Sequence, residues 1–128
     1  MGRIVTSVTI TNVKSPDKVI RCDALLGAEA SYMILPKAWK ARVGELELIE
    51  KMDFETANQT TVKGEICGRV QIQMEGFRPI YNEVVFIDME PEDNIYEPLV
   101  GYIILEQSYA AVDMVGHRLI HLKKMDLK

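Results

Sequence analysis

The chain has 128 residues, 48% hydrophobic and 27% charged, with 15 basic against 19 acidic side chains and a formal net charge of -4. That length and balance describe one domain, spanning 1–128, with room for a single core. No basic stripe interleaved with aromatics marks a nucleic-acid binder, and no run of about eighteen apolar residues marks a transmembrane helix.

Met-Gly-Arg leads straight into an alternating pattern, with no apolar segment of the secretory kind, so a cytoplasmic location is expected. The only cysteines, Cys22 and Cys67, are expected as buried reduced thiols. Asn58-Gln59-Thr60 spells a glycosylation acceptor, a pattern without meaning in the cytoplasm.

Ile4 to Thr11 alternates, with Ile4, Val8 and Ile10 on one face, and predicts a strand. Asn12 to Asp17 carries Asn, Ser, Pro and Asp and marks a turn. Val19 to Leu26 is a second strand, with Ile20, Cys22, Ala24 and Leu26 on one face. Gly27, Ala28 and Glu29 then turn the chain, and Met33 to Leu35 leads to Pro36. Proline suits the first turn of a helix, Trp39 and Val43 sit four apart, and Gly44 is a natural stop, so a helix of about two turns is expected.

Glu45 to Asp53 alternates as a half-exposed strand. Phe54 to Ile66 has a polar centre flanked by strand formers and reads as a projecting hairpin with its tip near Asn58. Gly68 to Met74 alternates again, and Glu75-Gly76 is a turn. Phe77 to Tyr81 and Glu83 to Ile87 supply further strand; Val84 to Ile87 is the continuous apolar run of a strand buried on both faces. The acidic stretch from Asp88 to Pro98 holds two prolines and is a loop. Leu99-Val100-Gly101 precedes a helical segment over Tyr102 to Tyr109. Ala111 to Ile120 then reads as strand, tight turn, strand, followed by a charged tail.

The segment Ala24-Leu25-Leu26-Gly27-Ala28-Glu29-Ala30-Ser31-Tyr32-Met33-Ile34-Leu35-Pro36 resembles the active-site segment of retropepsin-like aspartic peptidases, roughly Ala-Leu-Val-Asp-Thr-Gly-Ala-Ser-Tyr-x-Val-Leu-Pro. Ala24, Leu25, Ala30, Ser31, Tyr32, Leu35 and Pro36 agree with it. The family's Asp-Thr-Gly falls on Gly27-Ala28-Glu29. The order of elements extends the resemblance to about Val5–Leu122, with Leu99–Ile120 as its other specific part. It implies an all-β closed barrel with a flap hairpin, here around Ala57, Asn58, Gln59 and Thr60, and one main short helix. It also implies a homodimer, with Ala30 and Ser31 beside a cleft that takes an extended peptide, and no cofactor.

An aspartic peptidase activates water between two carboxylates that share one proton, because two like charges about 3 Å apart cannot both ionise. Gly27 has no carboxylate to offer, so the expected protein is an inactive homologue. Glu29 is the one acid in the turn, and an active endopeptidase using Glu29 or a rearranged loop is the alternative; a purely structural or assembly module is the other. Asp23 shares the strand parity of Gly27 but lies roughly 13 Å back along an extended chain. Asp113, His117 and His121, spaced by four, would share a helix face as metal ligands, but Gly116 and the alternation around it favour a hairpin and no metal site. Ser31 lacks a partnered base and is expected as a structural hydrogen-bond donor. Met33, Met52, Met74 and Met89 are assigned to core or edge packing.

Overall fold

A computed structural model describes residues 3–27, 30–55 and 59–122. Strands β1 (Val5–Asn12), β2 (Val19–Leu26) and β3 (Met33–Pro36) are followed by a 3-10 helix, Lys37–Val43. Then come β4 (Glu47–Glu55), β5 (Thr61–Met74), β6 (Ile80–Ile87) and β7 (Leu99–Val100), the helix α1 (Tyr102–Gln107), and the hairpin β8 (Ala110–Asp113) and β9 (Arg118–His121).

The sheet order is β1-β2-β7-β3-β6-β5-β4, and β1 also pairs with β5, so six strands close a barrel and β4 hangs outside the ring. Register explains the closure. On one side of β1, Val8 faces Cys22 of β2. On the other, Ile10 faces Ile72 of β5. The even positions Val8, Ile10, Ile20 and Ala24 therefore point inward together, and all are buried. This is the period-two burial that alternation predicts.

β5 is one long strand, where the sequence suggested two pieces. Its edge pairs with β4 as far as Gly68 and with β1 from Val70 onward. A register shift between Cys67 and Val70 accompanies the change of partner. The bulge also exchanges the parity that faces the core: Cys67 before it, then Val70, Ile72 and Met74 after it. In β6, Val84 and Phe86 join that core, while Val85 is buried outside the main cluster, as a strand covered on both faces requires. The strand begins at Ile80, so Phe77–Pro79 is not part of it.

The helix after Pro36 is 3-10 rather than α. It has only seven residues and no side-chain cap at its start, and it ends at Gly44 with φ 79°. Short uncapped segments of this kind settle for i to i+3 bonding. The second helix, α1, has six residues and lies within the helical segment expected over Tyr102 to Tyr109. Met33 and Met74 lie in the core, whereas Met52 is 38% exposed on β4. Both cysteines are free thiols.

Asn12, read from the sequence as a turn residue, is a buried hub. Its amide nitrogen donates to the carbonyls of Val43 (2.9 Å) and Glu45 (3.0 Å). Its side-chain oxygen accepts from the backbone N–H of Lys14 (2.9 Å) and Ser15 (3.2 Å). One side chain thus ties the β1–β2 turn to the turn that follows the 3-10 helix. Asn12→Ala leaves a buried and a part-buried carbonyl without this donor, so a loss of about 2–3 kcal/mol is expected, read from urea unfolding of the variant against the parent chain.

Candidate functional site: the turn after β2 and the β4–β5 hairpin

The turn is held from three sides by backbone bonds. Leu25 N–H donates to the Pro98 carbonyl (2.9 Å), Leu26 N–H to Ile4 (3.0 Å) and Gly27 N–H to Val100 (3.0 Å). The Gly27 carbonyl accepts from Ala30 N–H at 2.9 Å. On the far side, the carbonyls of Ala30 and Ser31 accept from Tyr102 N–H (3.0 Å) and Ile103 N–H (3.2 Å). These are first-turn amides of α1, which has no side-chain cap of its own. The loop caps the helix, and the helix holds the loop.

Gly101 makes that contact possible. A Cβ there would overlap the carbonyl carbon and oxygen of Ser31 and stand 2.6 Å from Tyr32 N. At Gly27 the situation is the reverse. A Cβ would meet Ala30 Cβ and Leu99 Cβ at 3.5 Å, an ordinary contact. Position 27 therefore has space for a Cβ and carries none.

Of the residues singled out from the sequence, Gly27, Ala30 and Ser31 lie together in this turn, while Ala28 and Glu29 fall outside the described residues. Ser31 contributes its backbone carbonyl. Among the described residues its hydroxyl makes no hydrogen bond, so the expected donor role is not seen. Asp23 is exposed on β2, opposite Ser7, whose hydroxyl donates to it at 2.9 Å. It belongs to the barrel wall, not to the turn.

The hairpin β4–β5 projects as expected. Glu55 pairs with Thr61, and every residue of β4 except Phe54 is exposed. Gln59, at φ 62°, and Thr60 lie on its return side, both exposed; Ala57 and Asn58 lie outside the described residues. The Phe54 ring covers Gly64, where a Cβ would come within 2.5 Å of it. At its root the hairpin is tied to the 3-10 helix by a Lys40–Glu65 ion pair at 2.5 Å. Cavities of about 800, 600, 430 and 420 Å3 open on the surface, and none is lined by Gly27, Ala30, Ser31, Gln59 or Thr60.

Neither thiol is prepared as a nucleophile. Burial pushes Cys22 up to about 11, with the Asp23 carboxylate adding to the effect, and burial also raises Cys67. The Asp113, His117, His121 spacing belongs to a hairpin. Asp113 accepts from the backbone of Val115 (3.1 Å) and Gly116 (3.0 Å) and pairs with Arg118. His117 sits in the turn at φ 51°, and His121 stacks on Phe77.

No protein-family model matches the sequence, and no curated protein matches it. Among solved structures, the EIAV protease complexed with the inhibitor HBY-793 is similar, with a TM-score of 0.58 and 19% identity. The likeness covers 82% of this chain and 86% of that one. The protein is thus an all-β barrel with the retropepsin-like fold. The fold, in itself, assigns no reaction.

Gly101→Ala forces two backbones apart and is expected to lower stability by about 3 kcal/mol, whereas Gly27→Ala should stay within about 1 kcal/mol; thermal unfolding of both variants compares them. The hairpin root has its own pH signature. The Lys40 hydrogen bond holds the Glu65 carboxyl below its ordinary value of 4.5, and the same bond raises Lys40 above its ordinary 10.5. The pair's stabilisation is therefore fully present between those two values. It is lost as pH falls through the lowered Glu65 value, or rises through the raised Lys40 value. The stability gap between the parent chain and Lys40→Met should be constant near neutrality and close at acid pH, read by urea unfolding across pH.

Proposed function

We propose that this chain is a catalytically inactive relative of the retropepsin-like aspartic peptidases, working as a homodimer that holds an extended peptide. The observation that carries the reading is Gly27. It follows β2 in the turn whose surrounding sequence follows the family's pattern, it has room for a Cβ at ordinary contact distance, and it presents no carboxylate. Among the described residues of this turn no carboxylate stands ready to join a pair that shares a proton and activates water.

The homodimer is what the resemblance to retropepsin-like peptidases implies. One copy supplies a single turn and a single hairpin, and none of the four cavities is lined by Gly27, Ala30 or Ser31. A twofold axis would set two such turns face to face beneath two hairpins and so build the cleft. The EIAV protease, whose fold is similar, was complexed with an inhibitor. A peptide would lie extended there and pair with the hairpin backbone by strand addition. The two free thiols fit a reducing, cytoplasmic setting.

The test is digestion of a peptide library from acid to neutral pH, read by mass spectrometry, with sedimentation of the same sample at micromolar concentration. A dimer that retains peptides and cuts none is expected. Cuts that a statine-type inhibitor blocks, and that Glu29→Gln abolishes, would replace this reading with an active enzyme built on Glu29. A monomer would remove the cleft.

A further inference from the structure

The described residues contain six lysines, and four of them gather at one place. Lys37 opens the 3-10 helix, Lys51 lies on β4 and Lys63 on β5, and all three line a cavity of about 430 Å3 together with Met52, Asp53, Gly64 and Glu65. Lys40 reaches the same place through its ion pair with Glu65. Register sets Lys51 across from Glu65 and Lys63 across from Asp53, so these four side chains share one face of the hairpin. Lys40, Lys37 and Lys51 all draw the Glu65 carboxyl downward, as converging ammonium groups do.

Glu65 is engaged by Lys40. Among the described residues no carboxylate stands within ion-pair distance of Lys37, Lys51 or Lys63. Four ammonium groups against two carboxylates leave an excess of two positive charges, on a chain whose net charge is -4. A local field opposite in sign to the whole molecule calls for an anion.

We propose that this cavity, between the 3-10 helix and the root of the β4–β5 hairpin, binds a dianionic phosphate group held by Lys37, Lys51 and Lys63. The charge of a phosphate dianion matches the excess. The volume accepts the group with a substituent attached, so the source is either a free phosphate compound or a phosphorylated side chain. The lysines come from three elements, and a bound phosphate would bridge the helix to both strands of the hairpin. The site does not depend on a dimer or on the turn at Gly27.

Isothermal titration and thermal unfolding with inorganic phosphate, at an ionic strength held constant with chloride, test the site. Saturable binding to the parent chain is expected, weakened about tenfold or more in Lys51→Gln and in Lys63→Gln and unchanged in Lys18→Gln. Asp53→Asn, which removes a repelling carboxylate, should tighten it. A phosphoserine peptide set against its unphosphorylated form separates the sources: tenfold tighter binding than free phosphate marks a protein-borne group, and equal binding marks a small molecule. A response that chloride reproduces, or an affinity that the lysine variants leave intact, would overturn the proposal. Unchanged affinity in Asp53→Asn would place the ion outside the cavity and overturn it as well.

Discussion

The close approach of Gly101 to the Ser31–Tyr32 backbone is the contact on which the site depends. It lets the carbonyls of Ala30 and Ser31 reach the first amides of α1. A six-residue helix with no capping side chain is marginal alone, since nucleation is costly and its end amides need partners. A turn that caps it, and that also bonds to Val100 through Gly27, is itself immobilised. Each segment supplies what the other lacks, and any side chain at position 101 would separate them.

The barrel supports this pair of loops from below. Its core is aliphatic, closed by β1 between β2 and β5, and it holds one large polar exception. Asn12 is buried because all its bonding groups are used, and in this setting it is more specific than an apolar residue would be. It fixes where the 3-10 helix ends, and so where β4 begins its course outside the ring. The hairpin that results is exposed along almost all of β4. Such an edge invites pairing, and its charged residues and the bulge near Leu48 and Glu50 restrain it.

Charge in the molecule is uneven. Acid residues crowd the loop after β6, which Trp39 meets through an edge-on contact with Tyr96 while Arg42 stacks on the same indole. Lys37, Lys40, Lys51 and Lys63 collect at the hairpin. Isolated ion pairs on such a surface contribute little to stability. A cluster of one sign has a different consequence, because it sets the potential that an approaching ligand meets.

Much was legible in the sequence. Alternation located β1, β2 and the buried run of β6, and Gly116 located the β8–β9 turn, because period-two burial and turn chemistry are local properties. The segment from Ala24 to Pro36 carried the resemblance to the fold that the structure has, since a motif is contiguous. Other features were decided only by the tertiary structure. β5 is one strand because its edge changes partner at a bulge, and partners are distant in sequence. Asn12 proved a hub because the carbonyls it meets lie more than thirty residues away. Gly101 matters because another backbone comes against it. Lys37, Lys51 and Lys63 become neighbours because a helix and two strands converge, an arrangement that spacing along the chain does not encode.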